Sequence, residues 1–428
     1  MNNWFFYLYN LIAVPVMWVG FILLTPFNQK IKQGRKGRKN LFQRLERDLA
    51  KFSNHSPRIW IHNSSMGEFE QAKPVIHALK KQCPNAFVIV SFFSPSGFEH
   101  AHHTSEADYL CYLPFDSLFR ANKFIRTIQP DVAVVVRHDF WPNHLWTLKK
   151  MGIPSVLINC SIGTGKRYRI KPLLHIERSL FHCFDSVFTV SELAKQRCLN
   201  YRFNEHVTVA GDTRYDQVIA RASVQPAVIE SLKKMKKQGI CFVLGSTWPG
   251  DENTIFQALD ELKANKKPFW LIVVPHEPTK EHLVTIESRL DELTYRHLRL
   301  SEINGKKPTN VDAIVVDSIG ILANLYALSD LAYVGGGFGV GVHSVLEPAA
   351  FGKIVIYGPN HLNSYEAIEM KKIGIGFSVQ NSAELGNLLN NFLNDASQLN
   401  TLGNKAKDMV ENNLGASERI SQYLCKQV

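Results

Sequence analysis

The stretch Tyr333-Val334-Gly335-Gly336-Gly337-Phe338-Gly339-Val340-Gly341-Val342-His343-Ser344-Val345-Leu346-Glu347-Pro348 decides the fold class, because it reads as a strand, a glycine loop and a helix start. Residues 331–334 form a short apolar run with β character. The glycines that follow carry no Cβ, so a ligand can approach the backbone closely. A helix beginning near Val345 points unpaired N–H groups and the positive end of its dipole into that space, which suits a phosphate. Glu347 is then placed to take the hydroxyls of a ribose. A second reading stays open: Ser344-Val345-Leu346-Glu347 has the form of a capping box, in which Glu347 only satisfies the N–H of Ser344. The spacing departs from Gly-x-Gly-x-x-Gly and the block lies far from the N-terminus, which disfavours a nicotinamide or flavin site.

Working outward, short β runs alternate with amphipathic helical stretches, the signature of parallel α/β architecture. Strands are expected at 59–62, 87–92, 132–136, 155–159 and 186–190, with helices at 68–83 and 118–128 among those between them. A second series is expected at 240–244, 270–274, 313–316, 331–334 and 354–357. Two doubly wound halves follow. The boundary is expected within 216–239, where Lys233-Lys234-Met235-Lys236-Lys237 reads as the solvated face of a helix. The length of 428 residues also calls for two domains.

An apolar content of 45% with 26 Gly and 19 Pro is that of a folded globular chain. The seven cysteines, at 83, 111, 160, 183, 198, 241 and 425, show no Cys-x-x-Cys pair, so reduced thiols in a cytoplasmic setting are expected. The formal charge of +11 points to nucleic acid, an anionic membrane surface or acidic substrates. Its distribution favours the last two. No charge precedes Lys30, and Lys30, Lys32, Arg35, Lys36, Arg38 and Lys39 then follow without an acid. Residues 4–27 are uncharged and long enough to cross a bilayer, although Asn10, Pro15 and Gly20 interrupt the run. The flanks are not those of a signal peptide. The basic cluster behind the segment places the bulk of the protein on the cytoplasmic side, with a buried or interfacial helix as the alternative. Aromatic residues are not interleaved with the basic run as base-stacking platforms would be, so nucleic acid is not the expected partner.

Several further turns carry polar residues at the ends of predicted strands. Ile61-His62-Asn63-Ser64-Ser65-Met66-Gly67-Glu68 puts Glu68 at the entry to a helix, either as half of a capping box with Ser65 or as a general base. Val136-Arg137-His138-Asp139-Phe140-Trp141-Pro142-Asn143 sets three titratable groups in a row, with an Arg137–Asp139 ion pair as the structural alternative. In Gly211-Asp212-Thr213-Arg214-Tyr215-Asp216, Arg214 contacts a phosphate or carboxylate, or pairs only with Asp212 or Asp216. In the second half Gly245-Ser246-Thr247-Trp248-Pro249-Gly250-Asp251-Glu252 opens a helix and is a candidate anion pocket. Pro275-His276-Glu277-Pro278, Asp317-Ser318-Ile319-Gly320 and Gly358-Pro359-Asn360-His361-Leu362-Asn363 converge on the same sheet edge. Ligands of open α/β sheets collect at the carboxyl ends of the strands, so a cleft between the halves is the expected site. There is no Asp-x-Asp and no His-Glu-x-x-His, and His100, His102 and His103 read as a solvated turn or helix end, so no metal site is expected. Ser and Cys nucleophile motifs are missing too.

Together these blocks resemble the 3-deoxy-D-manno-octulosonic acid (Kdo) transferases, glycosyltransferase family 30. The matching elements are Ser65 to Glu68, Phe140 to Asn143, Gly211 to Asp216, Gly245 to Thr247, Pro275-His276, the Asp317 turn, His343 to Pro348, and Gly358-Pro359. The resemblance implies a GT-B fold: two Rossmann-like doubly wound α/β domains facing a cleft, with an N-terminal membrane-anchor helix. The implied division is an anchor at 1–29, an acceptor domain at 30–216 and a CMP-sugar domain at 217–428, whose last helix can pack back on the first domain. It further implies an inverting transfer of Kdo from CMP-Kdo to a lipid A precursor at the cytoplasmic face of the bacterial inner membrane. No cofactor and no metal are needed in that step. Membrane phospholipid is the other implied partner. A soluble nucleotide-sugar epimerase of the same architecture, or a transferase with another lipid acceptor, is the alternative.

By the same resemblance Glu68 is the general base, while Arg214, at a family lysine position, and Asp139 complete the catalytic set. Ser246, Thr247, Pro275, His276, Ile319, Gly320, Ile321, Ser344, Val345, Leu346 and Glu347 match the CMP-binding turns, and Arg137 and Asn363 fall on the acceptor side or carry no fixed role. The chain departs from the common pattern, which has Glu at positions 137, 139 and 321, Asn at 344 and Arg at 276. The basic residue at 137 and the loop Gly-Gly-Gly-Phe-Gly-Val-Gly look typical of a Bacteroidetes branch.

Overall fold

A computed structural model describes residues 3–101, 106–163, 170–224, 226–236, 239–263, 269–303 and 310–428. His102 and His103 of the histidine cluster and Lys237 of the lysine run lie outside these. The chain divides into two compact units, Met1–Gln217 with Asn413–Val428, and Val218–Asn412.

The first unit is built on seven parallel strands: β1 (Arg58–Asn63), β2 (Phe87–Phe92), β3 (Tyr109–Tyr112), β4 (Val132–Val136), β5 (Ser155–Cys160), β6 (Ser186–Thr189) and β7 (Val207–Val209). Their order is β3-β2-β1-β4-β5-β6-β7. Every residue of β1, β2, β4 and β5 is buried, as expected of strands covered by helices on both faces. On one face Ile59 and Ile61 pack with Phe69, Val75, Ile76 and Leu79 of the helix Met66–Gln82. On the other, Trp60 packs with Leu41, Leu45 and Leu49.

The second unit repeats the plan with β8 (Ile240–Thr247), β9 (Phe269–Pro275), β10 (His297–Arg299), β11 (Ala313–Val315), β12 (Leu331–Val334), β13 (Ile354–Tyr357) and β14 (Gly376–Ser378). The order is β10-β11-β9-β8-β12-β13-β14. In each sheet the direction of winding reverses once, between β1 and β4 and between β8 and β12. Those two points fix where ligands can enter.

The final helix, Ala416–Cys425, belongs to the first unit: Ile420 and Leu424 share the core of Ile59 and Leu79. Asp216 caps its start, accepting the N–H groups of Gly415 and Ser417, each at 2.7 Å. Asp216 is thereby spent on a cap and does not pair with Arg214. The packing of this helix also corrects the expectation of seven reduced thiols. It brings Cys425 onto Cys83 in a disulfide with a Cα separation of 6.4 Å, and the other five cysteines are buried thiols.

The apolar N-terminal run is a helix from Asn3 to Leu24, with a wider π segment at Tyr9–Ala13. Pro15 lacks an N–H and its ring crowds the carbonyl four residues back, and a π segment relieves that crowding. Trp4–Leu24 is long and apolar enough to cross a membrane. The basic stretch behind it is also a helix, Gln29–Gly37, capped by Asn28 accepting from the Ile31 N–H at 3.1 Å.

Candidate active site

In the first unit, the carboxyl ends of β1 and β4 are adjacent at the reversal point, and the turns that follow them enclose a cavity of about 360 Å³. Ser64, Glu68, Arg137, His138, Asp139 and Ser161 line it. Three side chains singled out in the sequence, 68, 137 and 139, therefore meet. Glu68 sits in the first turn of the helix Met66–Gln82 and completes the capping box: its Oε2 accepts the Ser65 N–H at 2.9 Å and also the Ser65 hydroxyl. The remaining carboxylate oxygen is left for the cavity.

Asp139 makes no ion pair with Arg137. Its Oδ2 accepts the Nε2–H of His62 at 2.8 Å and the indole N–H of Trp141 at 3.1 Å. Burial alone would raise its pKa, but the bonds from His62, Trp141 and Ser64 outweigh it and hold the carboxyl below its ordinary value. His62 is 2% exposed and is fixed from behind: Ser91 Oγ lies 2.8 Å from its Nδ1 and accepts the Trp60 indole N–H at 2.8 Å. The two ring nitrogens of His62 are thus held between Ser91 and Asp139. His62 and Ser91 were not singled out from sequence. Each is an inward residue of a buried strand, and register alone joins them, since His62 pairs with Ser91 across β1 and β2.

Arg137 leaves β4 with φ at +60°, which turns the chain sharply into the cavity wall. Arg214 does not line the cavity. It is gripped by Asp212, which accepts from the Arg214 Nε at 2.9 Å, from Nη2 at 2.6 Å and from its backbone N–H at 2.9 Å. The preceding Thr213 donates its hydroxyl to the Gln71 carbonyl at 2.7 Å and accepts from Asn159 at 2.6 Å. The Arg214 turn is thus tied to the helix that carries Glu68.

In the second unit the glycine loop is organised by Asp251, which is fully buried. Its carboxylate accepts from the N–H groups of Gly336 at 2.7 Å, Trp248 at 3.0 Å and Phe338 at 3.2 Å, and from the Tyr333 hydroxyl at 3.0 Å. Gly335 can carry no side chain, because a Cβ would lie 2.1 Å from the Ser246 carbonyl oxygen. Ser246 itself turns at φ +52°. Thr247 is buried, with its hydroxyl donated to Glu252 at 2.8 Å.

The capping box read into Ser344 to Glu347 does not form. The helix is only Leu346–Ala350, its cap Val345 makes no side-chain bond, and Glu347 instead accepts from Arg221 Nη1 at 3.1 Å. Five residues give little dipole, so Arg221 supplies the positive charge here. Arg221 was missed from sequence because it lies 126 positions away on another helix. Ser344 is exposed, and Val345 and Leu346 are buried. Asn363 donates to the Val342 carbonyl at 3.0 Å and so braces the loop.

Pro275 ends β9, and the next residue, His276, lies exposed in a stack with Trp248 and His343, its ring 4.8 Å and 4.4 Å from theirs. The Trp248 indole N–H donates to His343 Nε2 at 3.0 Å. Burial, with the neighbouring His276, holds the His343 pKa below its ordinary value. Ile319 is 86% exposed, Gly320 turns at φ +96°, and Ile321 caps the short helix Leu322–Leu325. The unit thus offers flat rings, exposed backbone and a positioned carboxylate around one switch point. Among the described residues no cluster of three His, Cys, Asp or Glu side chains could hold a metal.

The family profile described as 3-Deoxy-D-manno-octulosonic-acid transferase (kdotransferase) matches residues 39–217. The chain is 26% identical to the 3-deoxy-D-manno-octulosonic acid transferase of Haemophilus influenzae over 86% of each chain. It is 28% identical to that of Aquifex aeolicus over 80% of this chain and 89% of the other. Within the first unit, over residues 39–217, the chain is thus similar to the Kdo transferase family.

The profile and both relatives bear the name of 3-deoxy-D-manno-octulosonic acid transferases. Among solved structures the chain is similar to a glycosyltransferase from Rickettsia africae, with a TM-score of 0.55, 16% identity, and 86% of this chain and 97% of the other covered. It is also similar to a UDP-GlcNAc 2-epimerase from Neisseria meningitidis, with a TM-score of 0.58, 14% identity, and 86% and 99% covered. These likenesses show the fold, a two-domain α/β architecture of the GT-B type.

Proposed function

We propose that the protein transfers Kdo from CMP-Kdo to a glucosamine hydroxyl of a lipid A precursor, with inversion, at the cytoplasmic face of the inner membrane. The observation that carries this reading is the meeting of Glu68, Arg137 and Asp139 in one cavity at the reversal point of the first sheet, in a unit similar to the Kdo transferase family. Glu68 takes the proton of the attacking hydroxyl as the new bond to the anomeric carbon forms and the bond to the CMP phosphate breaks. Such assistance is worth about 10²–10⁴-fold in rate. Asp139, kept ionised, offsets positive charge that grows on the sugar ring. Arg214, oriented by Asp212, takes the negative charge of the departing phosphate.

On this reading CMP is held by the turns of the second unit. The stack of Trp248, His276 and His343 offers a face to the base, Glu347 takes the ribose, and the turn at Ser344 takes the phosphate. The transfer so written calls on no metal or cofactor. Trp4–Leu24 serves as the membrane anchor, which a soluble epimerase would not need.

Incubation with CMP-Kdo generated in place and a lipid A precursor should add the mass of one sugar acid to the lipid, and should do so in the presence of a chelator. Absence of the increment with both substrates at saturation would refute the assignment.

A further inference from the structure

Arg137 is the only arginine or lysine among the residues that line the Glu68 cavity. Its backbone still belongs to the sheet, donating its N–H to the Ile158 carbonyl at 2.9 Å, and the chain then turns at φ +60°. The side chain is half-buried in the cavity wall. Both acids of the cavity are committed to other donors: Glu68 to the N–H and hydroxyl of Ser65, Asp139 to His62 and Trp141. Among the described residues the Arg137 guanidinium therefore has no ion pair and no hydrogen bond of its own. His138, the other basic side chain of the wall, is engaged elsewhere, with Nε2 3.3 Å from Cys160 Sγ.

A guanidinium presents its donors in one plane and matches a carboxylate with two parallel bonds. An anion that enters this cavity meets the charges of Glu68 and Asp139, and Arg137 is the cation there to offset them. The sugar of the proposed donor is an ulosonic acid, whose carboxylate is bonded to the anomeric carbon itself. Whatever brings that carbon within reach of Glu68 brings the carboxylate into the same cavity. The phosphate leaves from that carbon too, but in an inverting transfer it departs on the side opposite the attacking hydroxyl, away from the base.

We propose that Arg137 binds the carboxylate of the donor sugar, and so selects an acidic keto-sugar over a neutral one and turns its anomeric carbon toward Glu68. This rests on the transferase reading above and names the sugar subsite of the donor. Ser64 and Ser161, on the same wall, offer hydroxyl groups to the neutral part of the sugar.

The test uses the full chain in detergent, with binding followed by ligand-observed NMR and transfer by the mass increment on the lipid. The probes are free Kdo, its carboxamide, and CMP alone. Arg137→Asn removes the charge with a residue that tolerates a positive φ, and Arg137→Lys keeps the charge without the planar fork. The unmodified protein should bind Kdo more tightly than the carboxamide. In Arg137→Asn the affinity for Kdo should fall about tenfold or more while that for the carboxamide holds. The KM for CMP-Kdo should rise with it, with the acceptor KM, the affinity for CMP and the melting temperature unchanged. Arg137→Lys should recover part of the loss. Equal losses for acid and carboxamide, or no loss for either, would overturn the subsite while leaving the transferase reading intact wherever sugar is still transferred. A rise in the acceptor KM, or a loss of CMP affinity, in place of the donor effect would assign Arg137 to a phosphate and overturn it as well. An Arg137-dependent preference for the acid in a protein that transfers no Kdo would refute the transferase reading and leave the carboxylate subsite standing.

Discussion

The Asp139 carboxylate accepts the Nε2–H of His62 at 2.8 Å, and with the bonds from Trp141 and Ser64 this contact keeps the acid ionised. Because the folded pKa of Asp139 lies below its ordinary value of 3.8, its contribution to stability is present above that value. The contribution is lost as pH falls through the folded pKa. Asp139→Asn should therefore be less stable than the unmodified protein at neutral pH and should converge with it in acid. His62→Ala should cost about 1–3 kcal/mol through the orphaned bonds of Ser91 and Asp139. It should also move the acid limb of the kcat profile upward in pH, a shift that loss of packing alone would not produce. Thermal denaturation across pH and a pH–rate profile check both.

Asp251 holds the glycine loop by four accepted hydrogen bonds at a fully buried position. Asp251→Ala strands three backbone N–H groups and a phenol, so a loss of about 3 kcal/mol or more is expected. CMP affinity should fall with it, because the same N–H groups shape the loop. Calorimetric titration with CMP and a melting curve would show the two losses together; intact CMP binding in a destabilised variant would detach the loop from the nucleotide.

His282 behaves oppositely to Asp139. Burial would lower its pKa, but Glu252, at 2.9 Å, and the carbonyl of Glu277 raise it above 6.5. A raised folded value gives stability that is fully present below 6.5 and is lost as pH rises through the folded pKa. His282→Gln should thus be destabilising in mild acid and nearly neutral at alkaline pH. Subtracting the two melting curves pH by pH isolates the effect from His343, whose depressed pKa works in the other direction.

The reach of sequence reading had a physical boundary. Strands such as β4 and β9 are buried along their whole length, and so they read as continuous apolar runs. The four strands not anticipated, β3, β7, β10 and β14, are the sheet edges, three or four residues long and partly exposed, with no such run to find. The site divides similarly. Glu68 and Asp139 follow strands directly and were legible as turns, whereas His62–Ser91 and Arg221–Glu347 are products of register and packing between distant segments. Local pattern also misjudged two pairings: Ser344 to Glu347 looks like a cap and is not one, and Asp216 looks free for Arg214 but caps the last helix.

Glu68 carries two duties that substitution can separate. As a cap, it satisfies the Ser65 N–H through Oε2 at 2.9 Å. As the proposed base, it needs an ionisable oxygen. A glutamine keeps the capping acceptor but cannot take a proton, since capping boxes accept either residue. Glu68→Gln should therefore melt close to the unmodified protein and bind CMP normally while transfer nearly vanishes. Glu68→Ala should lose transfer and, in addition, about 0.5–2 kcal/mol of stability with the cap. If Glu68→Gln proves fully active, the carboxylate is a cap only, and the proton must go to another group lining the cavity, of which Asp139 is the other carboxylate.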